Sequence, residues 1–247
     1  MKLSEFKALT FDVYGTLIDW ETGMINGLKP LTDRLINPIS REAILEAHAF
    51  HESSTQKLTP AKDYRLILAT VYKRLAEEWK LPASWAHCLV YGHSVEHWPA
   101  FPDSAGALQY LKRYFKLVVL SNVDNASFAH SQAKLEIEFD AAYLAQDVGS
   151  YKPDMLNFDY MLKNLERMGI QKQDILHTAE SMFHDHGPAN NVGLANCWIY
   201  RRHDQKGFGA TMNPGELPTY DLRFNSMADL VKAHQAELVT DAQETST

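Results

Sequence analysis

Hydrophobic and polar positions change their spacing along the chain. A short apolar run over residues 7–11 is rich in strand formers and is followed by a tight turn at Gly15. After this turn, apolar residues recur every three to four positions for roughly eighty residues, as expected of amphipathic helices. The predicted helices cover residues 23–36, 41–56 with Ser40 as N-cap, 61–79 and 84–97.

From Asp103 onward, helical and strand patterns alternate. Helices are predicted at 106–114, 125–135 and 155–168, and strands at 116–120, 141–144, 175–178 and 197–200. Such alternation is typical of a parallel sheet with helices on both faces. Because the first strand precedes the helical stretch, the sequence predicts an α/β fold with a doubly wound parallel sheet, into which an all-helical cap is inserted.

The predicted domains follow from this order. A Rossmann-like core comprises residues 1–19 and 100–238, and the helical cap comprises residues 20–99. The stretch 239–247 is rich in Thr, Glu and Gln and is predicted to be a frayed C-terminal tail.

Composition restricts the function classes. The 247 residues include 24 Lys and Arg against 31 Asp and Glu, a formal net charge of −7, with no basic cluster beyond Arg201-Arg202. We therefore expect neither a nucleic-acid nor an anionic membrane partner. The sequence has no apolar run near the ~18 residues of a membrane span and no signal-peptide pattern, so we expect a cytoplasmic protein. Two cysteines, Cys88 and Cys197, form neither a disulfide framework nor a metal-ligand cluster.

Asp12 is the strongest candidate for chemistry. It directly follows the first predicted strand, and ligands of open α/β sheets bind at the carboxyl ends of the strands. A carboxylate there can act as a nucleophile, although an aspartate that caps the backbone amides of a turn is the alternative. Further polar groups follow at Ser121-Asn122, at Lys152 and in the run from Glu180 to Asp185.

Together these motifs resemble the haloacid dehalogenase superfamily over essentially the whole chain. The residue two positions after the nucleophile separates its branches, because phosphatases there typically carry a second Asp that protonates the leaving alkoxide. This sequence has Tyr14, as in the L-2-haloacid dehalogenase (type II) branch, whose halide leaving group needs no proton. Packing of an aromatic residue on the turn is the alternative interpretation of Tyr14. The resemblance rests on Asp12-Val13-Tyr14-Gly15-Thr16, Ser121-Asn122, Lys152-Pro153-Asp154 and the terminal acid Asp185.

The resemblance implies hydrolytic dehalogenation of short (S)-2-haloalkanoic acids to 2-hydroxy acids, without a cofactor. Asp12 would displace the halide and form a covalent aspartyl ester, which water would then hydrolyse. The expected partner is the small-molecule 2-haloacid substrate. The resemblance and the aromatic-rich cap also predict a homodimer, with packing inside the cap as the alternative role of its aromatic residues Trp79, Trp85, Tyr91 and Trp98.

The resemblance gives roles to the neighbouring motif residues. Lys152 would keep Asp12 ionised, since an opposite charge favours the charged form of a carboxyl group. Thr16 and Ser121 would offer hydroxyl groups to the Asp12 carboxylate or to the substrate carboxylate. Taken alone, Lys152 could be a solvated lysine and Ser121 part of a helix cap.

The remaining motif residues would act on substrate and water. Asn122 would offer an amide donor, and Asp185 would position or deprotonate the hydrolytic water, with helix capping as its alternative. Arg41 and His184 are further candidate substrate-binding residues.

Three positions depart from the family pattern. No cap arginine can be aligned securely, since Arg41 lies in the right region but His48 and His51 are equally placed to supply a donor. Phe158 stands where this branch usually has Tyr. Glu180 stands where the dehalogenases tend to have a small hydroxyl residue.

Glu180 keeps a second enzyme class open. Glu180 and Asp185 match the paired-acid spacing that holds Mg²⁺ in the superfamily's phosphatases. Asp12 would be the third acid of the site, and Mg²⁺ prefers such oxygen ligands. The alternative is therefore a Mg²⁺-dependent phosphatase that acts on a small phosphomonoester. We rank the dehalogenase first, because the missing acid at Tyr14 removes a chemical step. A non-enzymatic interaction protein is disfavoured, because the sequence retains all of Asp12, Thr16, Ser121, Lys152 and Asp185.

Overall fold

One six-stranded parallel sheet forms the centre of the molecule. The computed structural model describes residues 1–244. The strand order is β3-β2-β1-β4-β5-β6, and every neighbouring pair is parallel. The strands are β1 Ala8–Phe11, β2 Lys116–Ser121, β3 Ala141–Leu144, β4 Ile175–Ala179, β5 Ala195–Ile199 and β6 Leu222–Phe224.

Strand β1 lies in the middle of the sheet and is buried on both faces. All four of its residues are buried, which is typical of central strands in parallel sheets. Phe11 pairs with Val119 of β2 on one side and with Thr178 of β4 on the other. Strands β2 and β3 lie on one side of β1, and strands β4 to β6 lie on the other. The strand order therefore reverses next to β1, and ligands of doubly wound folds bind at such a switch point. Asp12 follows β1 directly and is placed at this point.

The first four helices after β1 form the predicted helical layer. They are α1 Trp20–Thr32, α2 Arg41–Leu58, α3 Tyr64–Glu78 and α4 Trp85–Gly92, followed by a 3₁₀ turn at His93–His97. Ser40 accepts a hydrogen bond from the backbone of Ala43, which confirms it as the N-cap of α2. Helix α1 begins three residues before the predicted start, because the Asp19 side chain caps it through the backbone N–H of Thr22.

The remaining helices flank the sheet and confirm the α/β class. They are α5 Ser104–Leu111, α6 Asn125–Leu135, α7 Ala145–Val148, α8 Leu156–Arg167, α9 Gly187–Asn191 and α10 Met227–Glu244. Strand β6 and helices α7, α9 and α10 were not predicted. Within residues 1–244, no helix combines the length and the apolar character that a membrane span requires.

Helix α10 corrects the predicted C-terminal tail. Residues 239–244 are helical rather than frayed, because contacts with the N-terminus hold the helix. The Glu237 carboxylate accepts hydrogen bonds from the backbone N–H groups of Leu3 and Ser4, both at 3.0 Å. Lys2 forms an ion pair with Asp241 at 2.6 Å. Residues 245–247 of the predicted tail lie outside the described residues.

The aromatic residues of the helical layer are divided between interior and surface. Tyr91 and Trp98 are buried, whereas half of the Trp85 surface is exposed. Packing within the helical layer thus accounts for Tyr91 and Trp98, so these two residues give no support to a dimer interface. The homodimer stays a prediction.

Candidate active site

Lys152 joins the two carboxylates that follow β1 and β4. Its Nζ donates to Asp12 Oδ1 at 2.9 Å, to Asp185 Oδ1 at 2.6 Å and to the carbonyl of Leu120 at 2.9 Å. These three bonds use all three donors of the ammonium group. All three side chains are almost completely buried, so water screens the charges little.

The turn after β1 fixes the second oxygen of Asp12. Gly15 adopts a φ of +89°, a conformation that glycine reaches without strain. The chain therefore bends back, and Thr16 Oγ1 donates to Asp12 Oδ2 at 2.9 Å. The same hydroxyl accepts a bond from the backbone N–H of Glu180 at 2.9 Å. Both oxygens of Asp12 are thus oriented by hydrogen bonds.

Asn122 positions the lysine from the end of β2. Its Nδ2 donates to the Lys152 carbonyl at 3.0 Å, and its Oδ1 accepts from the Lys152 backbone N–H at 2.6 Å. Asn122 also lines the cavity around Asp12. The Ser121 hydroxyl is buried and has no hydrogen-bond partner among the described residues, and Ser121 does not line that cavity.

The pKa values of the two carboxylates that share Lys152 are shifted in opposite directions. Burial raises the pKa of Asp12, and Lys152 offsets only part of this effect. Burial also opposes ionisation of Asp185, but Lys152 and His177 outweigh it and hold the Asp185 pKa well below its usual value. Burial lowers the Lys152 pKa, yet Asp12 and Asp185 outweigh it, so the Lys152 pKa is raised and the group stays an ammonium.

His177 is a site residue that the sequence analysis missed. Its Nε2 lies 2.9 Å from Asp185 Oδ1, and its Nδ1 lies 2.8 Å from Thr10 Oγ1. Burial lowers the His177 pKa, and an ionised carboxylate can only accept, so the neutral ring donates through Nε2 and accepts through Nδ1. Phe158 packs against this ring, with centroids 5.2 Å apart. A histidine between apolar strand residues is the signal that could have identified it.

A small cavity lies beside Asp12. The Tyr14 hydroxyl hydrogen-bonds Ser131 Oγ at 2.9 Å, and burial raises the Tyr14 pKa above its ordinary value. The His184 Nδ1 lies 3.1 Å from Ser181 Oγ, and burial lowers the His184 pKa to about 4, so this ring is neutral near pH 7. The lining residues are Asp12, Tyr14, Trp20, Glu52, Gln56, Tyr64, Asn122, Lys152, Ser181, His184 and Asp185.

Polar residues from the helical layer close the cavity, and the sequence analysis did not identify them as site residues. Glu52 and Gln56 come from α2, and Tyr64 comes from the first turn of α3. The spacing of four residues between Glu52 and Gln56, one turn after the buried His48, is a signal that could have found them. His51, a candidate donor, instead contacts Glu78 at 2.6 Å.

Arg41 and Glu180 line a second cavity. Arg41 Nη2 is 3.5 Å from Glu21 Oε2, and Arg41 does not line the Asp12 cavity. Burial raises the Glu180 pKa to about 8. Only the backbone N–H of Glu180 reaches the Asp12 site, through Thr16. The structure therefore brings neither Arg41 nor the Glu180 carboxyl group to Asp12.

The residues proposed for a magnesium site do not fit one as they are arranged. Lys152 Nζ binds one oxygen of Asp12 and one of Asp185, and so lies between the two carboxylates. The third acid, Glu180, faces other cavities. Over residues 1–244, His, Cys, Asp and Glu side chains form no group of three or more that could hold a metal ion.

A family model describes the chain's relatives. The model of the haloacid dehalogenase-like hydrolases matches residues 6–178. The chain belongs to this family. The matched residues of this haloacid dehalogenase-like hydrolase include Asp12, which directly follows β1. No curated protein matches it.

Solved structures share the fold of this haloacid dehalogenase-like hydrolase. The L-2-haloacid dehalogenase PA0810 is 21% identical with a TM-score of 0.74, and the match covers 94% of this chain and 99% of that one. L-2-haloacid dehalogenase from Xanthobacter autotrophicus with chloropropionic acid covalently bound is 18% identical with a TM-score of 0.74, covering 92% and 97%. The HAD-hydrolase YfnB from Bacillus subtilis bound to magnesium is 17% identical with a TM-score of 0.71, covering 93% and 99%. At these identities the likeness concerns the fold.

Proposed function

We propose that this hydrolase releases halide from carbon 2 of short 2-haloalkanoyl compounds, the class that contains the (S)-2-haloalkanoic acids, through a covalent ester on Asp12. The observation that carries the proposal is Tyr14. Its hydroxyl is bonded to Ser131 and its pKa is raised by burial, so it is a poor proton donor two positions after the nucleophile. A leaving group that departs as a stable anion fits this site, and a halide needs no proton.

Asp12 supplies the nucleophile of the first step. One carboxylate oxygen attacks carbon 2, the carbon–halogen bond breaks, and halide departs with both bonding electrons. Lys152 and Thr16 hold the carboxylate in one orientation, at 2.9 Å each. A small enclosed cavity aligns the substrate and removes water from the nucleophile, effects that together contribute several kcal/mol.

Asp185 has the position to orient water in the second step. Its Oδ1 is bonded by Lys152 and His177, whereas its Oδ2 has no hydrogen-bond partner among the described residues. Because its pKa is well below the usual value, Asp185 is a weak base and acts by accepting a hydrogen bond from the water. Water attacks the ester carbonyl of Asp12, one of its protons ends on the product hydroxyl, and the other is released as Asp12 ionises again.

A paired assay tests the proposal. We expect halide release from 2-chloropropionate or 2-chloropropionamide in the presence of EDTA, and none from the Asp12→Asn variant, which keeps the shape of the side chain. The alternative is assayed in parallel as phosphate release from p-nitrophenyl phosphate with Mg²⁺. Phosphate release without any halide release would replace the dehalogenase with the phosphatase.

A further inference from the structure

Glu52 places a third carboxylate in the wall of the cavity, opposite the part of the site built by the sheet. It lies on α2, is almost completely buried, and lines the same cavity as Asp12 and Asp185. Among the described residues that line the cavity, Lys152 is the one Lys or Arg, and it is shared by Asp12 and Asp185. Three carboxylates therefore face one ammonium group, and the cavity carries excess negative charge.

The neighbouring polar groups do not supply a further positive charge to a ligand. His184 is neutral near pH 7, because burial lowers its pKa. His48 Nδ1 lies 3.4 Å from Glu52 Oε2, but His48 is fully buried and does not line the cavity. Burial raises the pKa of Tyr64, Tyr91 and Tyr151, the tyrosines whose ionisation the Glu52 carboxylate opposes, so all three stay neutral.

Gln56 and Tyr64 each direct a hydrogen-bond donor at Glu52. A carboxylate can only accept, and Gln56 Nε2 donates to Glu52 Oε1 at 3.1 Å. Burial and Glu52, which accepts a hydrogen bond from the Tyr64 hydroxyl, raise the Tyr64 pKa well above its usual value. The atoms left for a ligand are mostly acceptors, namely the remaining lone pairs of Glu52, the Gln56 Oε1 and the Tyr64 oxygen, beside the second N–H of Gln56. A ligand group that packs against the Glu52 carboxylate must be a donor.

We propose that Glu52 makes this hydrolase select 2-haloalkanoyl substrates whose carboxyl carbon bears an uncharged hydrogen-bond donor, a primary amide, over the free acids. The inference rests on the proposed function. A free carboxylate offers acceptors only and adds a charge of the same sign, whereas an amide NH₂ supplies two donors without charge. The reaction itself is unchanged: Asp12 displaces halide from carbon 2, the amide C–N bond stays intact, and water releases a 2-hydroxyamide.

Substrate preference in matched variants tests this inference. We expect wild-type kcat/KM near neutral pH to favour 2-chloropropionamide over 2-chloropropionate by about tenfold or more, since juxtaposed like charges are strongly unfavourable. Glu52→Gln keeps the size of the side chain and removes the charge, so it should shift the ratio toward the acid by about tenfold. Glu46→Gln is the control, because Glu46 lies on the same helix but is exposed and outside the cavity.

Calorimetric binding of unreactive analogues to the wild-type protein tests the inference without a variant and without turnover. Propionamide should bind more tightly than propionate. If neither chloro compound releases halide, the proposed function fails, while the order of these two affinities still decides the role of Glu52. Tighter binding of propionate, a wild-type preference for the acid, or an unchanged ratio in a folded Glu52→Gln protein would overturn the inference.

Discussion

Lys152 determines the charge state of the residues around Asp12. It binds both Asp12 and Asp185, so the two acids share one counter-charge in a buried setting. Burial raises the pKa of Asp12, while Lys152 and His177 keep that of Asp185 low. In the proposed reaction these two chemically similar groups do different work: Asp12 acts as the nucleophile, and Asp185 remains a charged acceptor throughout the cycle.

Replacing Asp185 should separate the two steps of the proposed reaction. In Asp185→Asn, ester formation needs only Asp12, whereas hydrolysis loses the acceptor that orients the water. We expect a burst of one halide per active site followed by turnover slower by about a hundredfold or more, the cost of a misplaced reactant. Rapid-quench halide assays measure the burst, and the intact-protein mass detects the trapped ester.

The exposed Asp159 on α8 provides the control for this experiment. Asp159→Asn removes a carboxylate far from the cavity and should turn over like the wild type. Loss of the burst in a folded Asp185→Asn protein would place Asp185 in the first step instead of the second.

Helix α1 approaches the segment after α4 so closely that only glycine fits at one position. A Cβ at Gly23 would lie 2.2 Å from Trp98 Cδ1. The Trp98 ring in turn packs edge-on against Tyr14 and Tyr64, with centroids 5.5 and 6.4 Å away. The wall of the Asp12 cavity is therefore supported by the contact between these two elements.

Gly23→Ala should destabilise the protein and disturb the cavity. Displacing Trp98 overpacks a filled interior, so the free energy of unfolding should fall by about 1–3 kcal/mol in urea denaturation. Gly106→Ala is the matched control, because a Cβ at Gly106 in helix α5 would meet no atom within 4 Å. That variant should be unchanged or more stable by about 0.5–1 kcal/mol. Equal stability of the two variants would refute the packing argument.

At the scale of the whole molecule, the sequence predicted the core better than the cap. Asp12, Asn122, Lys152 and Asp185 come together because they follow neighbouring parallel strands, whose carboxyl ends share one edge of the sheet. Strand β6 was missed because the stretch before it shows no clear period. Contacts distant in sequence hold α10, including that of Glu237 with the N-terminus.

The helical residues that line the cavity are set by how the helices pack against the sheet. The spacing of apolar residues along one helix does not encode this packing. Arg41 and Glu52 lie on the same helix, yet Glu52 lines the cavity with Asp12 while Arg41 contacts Glu21 in a second cavity. The order of the motifs was enough to predict that Asp12, Lys152 and Asp185 lie together. The chemistry of the wall that faces them required the structure.

The fate of solvent oxygen tests the covalent role of Asp12 most directly. In a single turnover in heavy-oxygen water with enzyme in excess, hydrolysis at the Asp12 carbonyl leaves one solvent oxygen in the enzyme and transfers an original aspartate oxygen to the product. Mass spectrometry should therefore find label in the peptide that contains Asp12 and an unlabelled new hydroxyl in the product. Label in the hydroxyl with an unlabelled peptide would contradict the account, because water would then have displaced the halide directly.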